Sequence, residues 1–171
     1  MQPQYKNKFG RVDLNVSAFG FGTAPVGNIF REIDEKTSDD MFQAAWKAGI
    51  RFFDTAPMYG HGLSEYRTGY SLRWKNRDDF ILSTKVGRLL HPAKKETIEY
   101  APWTNAGRFE VEFNYSYDAT MRSVEDSLQR MGLESVDILF IHDIDRFTRG
   151  DEQPEVFKTA MNGSWKALSK L

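Results

Sequence analysis

Short apolar runs alternate along the chain with stretches in which apolar residues recur at helical spacing. Four runs have the length and composition of β-strands, and they occupy residues 17–22, 50–54, 80–86 and 136–141. The last run is nearly continuously apolar, which is typical of a parallel strand buried on both faces. Helical stretches follow these runs, from about Thr37 to Gly49, at 64–73, from Asp118 to Gly132 and from Pro154 to Leu171. The repeated strand–helix order predicts an α/β fold with a parallel sheet and helical crossovers.

Capping residues and spacing predict where the helices begin and which faces they bury. Thr37 with Asp40 resembles a capping box, Gly49 is placed to end the first helix, and Asp118 can cap the third. The faces expected to be buried consist of Met41, Ala44, Ala45 and Ala48 in the first helix and Met121, Val124, Leu128 and Met131 in the third. Residues 12–16 are predicted to form half of a short opening hairpin.

The segment 87–117 is predicted to be a long connecting loop, because it contains Pro92, Pro102, Trp103 and Gly107. Loops of that length inside a compact domain are usually functional. Trp103 is therefore a candidate wall of a substrate pocket, although packing within the loop explains it at least as well.

Two architectures fit this order of elements, a doubly wound sheet and a (β/α)8 barrel. A doubly wound nucleotide-binding sheet calls for a glycine-rich turn that opens a helix directly after the first strand. Here the sequence GFG at 20–22 is followed by TAP at 23–25, so that fingerprint is incomplete. The doubly wound alternative is therefore the weaker of the two.

Four polar residues lie where the predicted strands end, which is the edge at which barrel enzymes carry their chemistry. They are Asp54 after the second strand, Tyr59 in the loop beyond it, Lys85 near the end of the third strand and His142 after the fourth. Each has an ordinary explanation: an aspartate that binds loop amides, a loop aromatic, a lysine that reaches water, a histidine with satisfied nitrogens. All four at one edge favour a functional site.

Such a set of side chains suits the interconversion of a carbonyl and an alcohol. A lysine ammonium beside a phenol favours the phenolate, and a tyrosine in that setting can give a proton to an alkoxide or take one from an alcohol. An aspartate keeps the lysine charged and oriented, and a histidine opposite can hydrogen-bond the carbonyl oxygen. The hydride has to come from a cofactor, because no side chain supplies one.

Composition narrows the classes of function. The chain has 171 residues, of which 40% are hydrophobic and 27% charged, as expected for one globular domain. A net charge of −1 argues against nucleic acid or a membrane surface as partner. The absence of cysteine excludes a disulfide framework, and with an amino terminus that resembles no signal peptide it suggests the cytoplasm. The spacing of His61, His91 and His142 predicts no metal site.

Several segments together resemble the aldo-keto reductase superfamily. They are GIRFFDTAPMYG at 49–60 with GLSE at 62–65, the lysine strand LSTKVG at 82–87, the helix EDSLQRMGL at 125–133 and the histidine strand DILFIHD at 137–143. Within the superfamily, the stretches at 20–28 and 83–90 look like the branch of aldose, fucose or galactose dehydrogenases and pyridoxal 4-dehydrogenase.

The resemblance implies roles for individual residues. The family's catalytic tetrad falls on Asp54, Tyr59, Lys85 and His142, with Tyr59 as general acid/base. Gly22 and Thr23, with Asp54, fall where the family approaches the nicotinamide end of NAD or NADP. The implied substrate is a sugar or small aldehyde. A cofactor-binding regulatory subunit of the potassium-channel β type, which keeps the same tetrad, and an inactive truncated remnant are the alternatives.

The resemblance also implies that the barrel is incomplete. Eight β-α units need roughly 250 residues, and this sequence is expected to contain only the first four. Residues 1–171 are therefore predicted to form a single incomplete domain, the amino-terminal half of a (β/α)8 barrel. The family's ring-stacking aromatic and phosphate-binding loops come from the later strands, so the isolated half is expected to be inactive.

Overall fold

A computed structural model describes Gln2 and residues 5–171, and the prediction about the amino terminus rests partly on residues 1, 3 and 4, which lie outside them. The strands are β1 (Lys6–Lys8), β2 (Asn15–Ser17), β3 (Gly20–Gly22), β4 (Phe52–Asp54), β5 (Ile81–Val86), β6 (Arg88–Pro92), β7 (Phe109–Phe113) and β8 (Ile138–Ile141). The helices are α1 (Glu35–Lys47), α2 (Leu63–Leu72), α3 (Tyr117–Met131), α4 (Arg146–Arg149), α5 (Gln153–Asn162) and α6 (Ser164–Leu168). None of the helices in the described part combines the length and apolar composition needed to cross a membrane.

A parallel sheet in the order β3–β4–β5–β8 forms the centre of the fold, and α1, α2 and α3 connect its successive strands. The register places Gly22 beside Asp54 and Asp54 beside Ser83. Val86 at the end of β5 pairs with Ile141 at the end of β8. The carboxyl ends of all four strands therefore meet at one edge, which confirms the predicted α/β class and parallel sheet.

The first predicted strand, 17–22, is divided in two. Ser17 ends β2, which pairs antiparallel with β1, and only Gly20–Gly22 joins the parallel sheet. The Ser17 hydroxyl donates to the Phe19 carbonyl oxygen at 2.7 Å and accepts from the Arg51 amide at 3.0 Å, which holds a bend between the two strands. The opening hairpin exists, but its second strand is Asn15–Ser17 rather than 12–16.

Helix α1 begins earlier than predicted, and its buried face agrees with the prediction only at Ala45. Asp34, not Thr37, is the N-cap, and its carboxylate accepts a hydrogen bond from the Thr37 amide at 2.6 Å. The buried side chains are Ser38, Phe42 and Ala45, whereas Ala44 and Ala48 are exposed and Met41 is half-buried. Phe42 determines this face because its ring stacks on Phe53 of β4, with centroids 6.0 Å apart.

Helix α3 is capped by Ser116, whose hydroxyl accepts from the Ala119 amide, rather than by Asp118. Val124 and Met131 are buried as predicted, but Met121 and Leu128 are only half-buried. Small polar side chains occupy much of the inner face: Thr120, Ser123 and Ser127. They bring α3 close to its neighbours, and the Ser123 hydroxyl donates to the Arg88 carbonyl oxygen at 3.2 Å.

The segment 87–117 is not a loop, because β6 and β7 pair antiparallel within it, from Arg88↔Phe113 to Pro92↔Phe109. We call Arg88–Phe113 the ribbon. Its far end returns to the sheet's carboxyl edge, where the Thr104 amide donates to the Asn28 carbonyl oxygen at 3.0 Å. The prolines and Gly107 suggested irregular structure, yet FEVEF alternates in the manner of a strand.

The final predicted helix, from Pro154 to Leu171, is broken at Gly163. Helix α5 ends before it and α6 begins after it. A Cβ on Gly163 would lie 2.2 Å from the Tyr115 carbonyl oxygen, and that oxygen accepts from the Ser164 amide at 2.9 Å. The break therefore serves a close contact with the segment before α3.

Candidate active site at the carboxyl ends of the strands

Asp54 and Lys85 form an ion pair at the ends of β4 and β5. The Lys85 Nζ atom lies 2.7 Å from Asp54 Oδ2 and donates to the Thr55 carbonyl oxygen at 2.9 Å. The Ser83 hydroxyl donates to Asp54 Oδ1 at 2.6 Å. Both carboxylate oxygens are thus bound by groups of β5, and the position of the ammonium is fixed.

Tyr59 lies next to this ion pair. The Lys85 Nζ atom is 4.6 Å from the centre of the Tyr59 ring. The His142 ring approaches Tyr59 edge-on, with centroids 5.8 Å apart. The four residues predicted to form the site, Asp54, Tyr59, Lys85 and His142, are therefore brought together by the fold.

The turn that carries Tyr59 is held on both sides by main-chain contacts. A Cβ on Gly60, whose φ is +63°, would lie 2.3 Å from the Gly27 carbonyl oxygen. On the other side, the Gly107 amide donates to the Gly60 carbonyl oxygen at 2.9 Å. Only glycine permits these approaches, so the loop after β3 and the ribbon jointly fix the position of the tyrosine.

His142 is buried, with 8% of its surface exposed. Burial lowers the pKa of its imidazole from 6.5 to about 3, and the positive charges of Arg88 and Lys85 act in the same direction. The Nδ1 atom is buried without a hydrogen-bond partner among the described residues. A neutral imidazole at this place can donate one hydrogen bond and accept one.

Gly22 and Thr23 occupy the end of β3, as predicted, but their environments differ. A Cβ on Gly22 would meet no atom within 4 Å, so open space borders the main chain there. Thr23 is fully buried; its hydroxyl donates to the Asp54 carbonyl oxygen at 2.8 Å and accepts from Ser64 at 2.7 Å. The Thr23 side chain thus ties the strand ends together and leaves only main-chain atoms for a ligand.

Trp103, at the far end of the ribbon, packs on the catalytic candidate Tyr59, with ring centroids 5.6 Å apart. It is 6% exposed, and its Nε1 atom is buried without a partner among the described residues. A cavity of about 370 Å³ lies between the ribbon and the Tyr59 turn. Its lining includes Met58, His61, Ile98, Ala101, Val111 and Phe113.

Several residues near the site carry no signal in the sequence. Ser64 and Ser83 lack the context of a nucleophile, and they act instead as hydrogen-bond donors to Thr23 and Asp54. Arg88 and Tyr115 lie behind His142, and Tyr115 donates to the His142 carbonyl oxygen at 2.6 Å. The positions of Arg88 and Tyr115 follow from the pairing of β6 with β7. The only sequence signal that could have pointed to this pairing is the alternation of apolar and polar residues in β7.

His61 and His91 do not join this site. The His61 Nδ1 atom lies 2.7 Å from the Phe109 carbonyl oxygen, and His91 Nε2 lies 2.6 Å from Glu112. Across the described residues, no group of three or more His, Cys, Asp or Glu side chains is arranged to hold a metal ion.

Comparison with known proteins relates this geometry to one family. The model of the aldo/keto reductase family matches residues 18–171. The chain is 40% identical over 177 residues to pyridoxal 4-dehydrogenase of Microbacterium luteolum, covering 97% of this chain and 51% of that protein. It is 40% identical over 137 residues to D-threo-aldose 1-dehydrogenase of a Pseudomonas species, covering 78% of this chain and 42% of that protein.

A solved structure gives the same picture. The holo form of aldo-keto reductase AKR11C1 from Bacillus halodurans superposes with a TM-score of 0.64 at 27% identity, over 91% of this chain and 45% of that one. The chain spans about half the length of the curated relatives it matches.

Proposed function

Because this chain belongs to the aldo/keto reductase family, we propose that it provides the catalytic edge of an oxidoreductase that interconverts a carbonyl and an alcohol. In this proposal, residues 1–171 are the amino-terminal half of a (β/α)8 barrel and contain its first four β-α units. The substrate is a sugar or a small aldehyde, the class named in relatives such as D-threo-aldose 1-dehydrogenase. The cofactor is NAD or NADP.

One observation carries the proposal: the Lys85 ammonium lies 2.7 Å from Asp54 and 4.6 Å from the Tyr59 ring centre, and His142 faces that ring. Each group suits one task. Tyr59 gives a proton to the carbonyl oxygen during reduction and takes one from the hydroxyl during oxidation. Lys85, held by Asp54, places a positive charge beside the Tyr59 ring.

His142 completes the set as a neutral hydrogen-bond donor. With its pKa lowered to about 3, the imidazole carries no charge at neutral pH. A neutral donor can orient the carbonyl oxygen beside Tyr59 without competing for the role of acid. Burial of His142 and Trp103 excludes water from this side of the tyrosine, which strengthens these interactions.

The end of β3 fits the nicotinamide cofactor that this family uses. Open space beside Gly22 lets a flat ring approach the main chain, and Thr23 keeps that strand end attached to Asp54. When bound, the cofactor supplies or accepts the hydride. Gly22, Thr23 and Asp54 would hold its nicotinamide end, and the side chains of the site would manage the proton.

The test is the turnover of Tyr59→Phe in a complete eight-unit barrel that contains residues 1–171, with aldoses and small aldehydes and with NAD and NADP. General acid/base catalysis contributes about 10²–10⁴-fold, so we expect kcat to fall by about that factor. Tyr66→Phe, at an exposed tyrosine of α2, is the matched control. A loss below about tenfold for Tyr59→Phe would remove it from the mechanism. Cofactor binding without any turnover would instead indicate a regulatory subunit.

A further inference from the structure

Behind His142 lies a cluster of two arginines and one tyrosine, in which Arg88 and Tyr115 are buried and Arg149 is half-buried. Arg88 is 1% exposed and Tyr115 is 6% exposed. The Tyr115 hydroxyl accepts from Arg88 at 2.7 Å and from Arg149 at 2.7 Å. The same hydroxyl donates to the His142 carbonyl oxygen at 2.6 Å. One phenol oxygen therefore links the ribbon and α4 to the main chain of the histidine.

From these contacts we propose that Arg88 and Arg149, acting through Tyr115, are positioning residues for His142. The inference rests on the proposed function, in which His142 orients the substrate carbonyl. None of the three residues is assigned a part in the proton transfer itself.

The cluster is built to be rigid. The guanidinium carbons of Arg88 and Arg149 lie 3.9 Å and 4.6 Å from the centre of the Phe113 ring, so both cations share one aromatic surface. Arg149 also donates to the Asp143 carbonyl oxygen at 2.7 Å. The two residues that follow β8 are thus held through their main chain from both β6 and α4.

A glycine makes room for the tyrosine. Gly87 has a φ of +97°, and a Cβ there would lie 2.4 Å from the Tyr115 ring. Any side chain at 87 would displace the ring and, with it, the hydroxyl that holds His142. This gives the glycine between Lys85 and Arg88 a steric role in the site.

The charges around His142 also link Arg88 to the histidine. The charged and titratable groups near its ring are Asp54, Tyr59, Lys85, Arg88, Asp143 and Arg149. Among these charges Arg88 has the largest effect in lowering the pKa of His142. Arg88 therefore holds the histidine indirectly, through its hydrogen bond to the Tyr115 hydroxyl, and also disfavours the protonated form of His142.

The first experiment follows the His142 imidazole by NMR in the complete barrel with isotopically labelled histidine, and the His142→Gln variant identifies its signal. We expect wild-type His142 to remain neutral from pH 9 to pH 4. In Arg88→Met the midpoint of its titration rises by about one unit or more, because a nearby positive charge is removed. Arg88→Lys keeps the charge and keeps the low midpoint. Arg122→Met, at an exposed arginine of α3, is the control.

The second experiment separates positioning from stability. Tyr115→Phe removes only the hydroxyl, and we expect kcat to fall by about ten- to hundredfold because the histidine is misplaced. The KM for the cofactor stays within twofold, since the cluster does not touch the end of β3. Tyr117→Phe, at an exposed tyrosine two residues later, leaves both constants unchanged.

The outcomes are decisive in either direction. An unchanged titration midpoint in Arg88→Met, or a kcat within twofold of wild type in Tyr115→Phe, overturns the proposal. If Tyr115→Phe does not fold, Arg149→Gln at a half-buried position repeats the test: a lower kcat with unchanged cofactor KM supports positioning, and an unchanged kcat overturns it. A complete wild-type barrel without turnover would count against the proposed function, while the His142 titration would still decide the role of Arg88.

Discussion

At the scale of single residues, the chemistry of His142 is set by what surrounds it. A histidine in water has a pKa of 6.5, and here burial together with the nearby cations Arg88, Lys85 and Arg149 lowers it to about 3. At neutral pH the ring is uncharged in the folded protein. In acid the site lowers the free energy of unfolding, because His142 binds a proton in the unfolded chain at a pH at which it stays unprotonated in the folded chain.

The resulting pH dependence of stability can be measured. Because the folded pKa lies below the unfolded one, the unfolded state gains protons first as the pH falls from about 6.5 towards 3. Between pH 7 and pH 5 this site should remove about 2 kcal/mol from the free energy of unfolding. His142→Gln cannot titrate and should lack this decrement. Urea unfolding of both proteins at the two pH values tests it; equal pH dependence would contradict the low pKa.

The location of a site residue could be predicted from the sequence where its position along a strand was sufficient to place it. Asp54, Lys85 and His142 lie at or just past the ends of parallel strands, and such ends share an edge. The hydrogen-bond partners of Ser83 and Tyr115 depend on distances across the fold, which local sequence does not encode. The roles of the four strand-end residues remain predictions that the proposed variants test.

At the scale of elements, the main chains of α2 and α3 approach each other closely at Gly69. A Cβ on Gly69 would be 2.0 Å from the Met131 carbonyl oxygen. Nearby, the buried Glu65 accepts from Arg130 at 2.7 Å and from Thr84 at 2.6 Å, which joins both helices to β5. The spacing of the two helices is therefore fixed by a missing side chain and a buried ion pair.

Replacing Gly69 with alanine is expected to change stability in the direction opposite to that which helix propensity predicts. In an unconstrained helix, Gly→Ala stabilises by about 0.5–1 kcal/mol. For Gly69→Ala we expect a loss of about 1–3 kcal/mol or more, because the methyl group collides with main chain that cannot yield easily. Tyr66→Ala, on the exposed side of α2, should change stability far less. Thermal unfolding distinguishes them, and a stabilised Gly69→Ala would mean that α3 moves freely.

Prediction succeeded for elements with one strong signal and failed where signals conflicted. The apolar runs at β5 and β8 predicted strands, and both are present within two residues of the expected bounds. Strand β5 is mostly buried, whereas β8 is half-buried and exposes Phe140, so the prediction that β8 is buried on both faces is wrong. In 87–117 the prolines favoured a loop prediction over the strand that the alternation of FEVEF indicates. The partner strand β6 is separated from β7 by 16 residues, so local sequence gave no sign of the pairing. The start of α1 was missed because Asp34 and Thr37 both suit an N-cap position, and in the structure Asp34 takes it by accepting a hydrogen bond from the Thr37 amide.

At the scale of the molecule, the sheet has two edges. In the order β3–β4–β5–β8, the outer strands each have one hydrogen-bonded neighbour. Phe140 of β8 is 41% exposed, and further along the chain Phe147 is 99% and Trp165 is 56% exposed. Unpaired strand edges with apolar side chains beside them are templates for association. The four strands carry the candidate site but do not close around it.

We therefore expect residues 1–171, made alone, to associate and to bind cofactor weakly. Barrel phosphate sites frequently follow the seventh and eighth strands, and the residues at the end of β3 would meet only the nicotinamide end. Light scattering gives the mass in solution, and calorimetry with NAD and NADP gives the affinity. A stable monomer with micromolar affinity would refute this expectation and show that four units form a sufficient cofactor site.

The ribbon has a practical consequence for directed evolution. Its anchors to the sheet's edge are Pro102, Thr104 and Gly107, through hydrogen bonds to the loop after β3 and the Tyr59 turn. By contrast, the main-chain hydrogen bonds of Thr97 and Ile98 go to Lys94 and Lys95 within the same turn, while their side chains line the cavity beside Met58. Randomising 94–99 would vary the cavity wall that faces Met58 and leave the anchors intact. Substrate selectivity could then be screened in a library whose members all keep the contacts that position Tyr59.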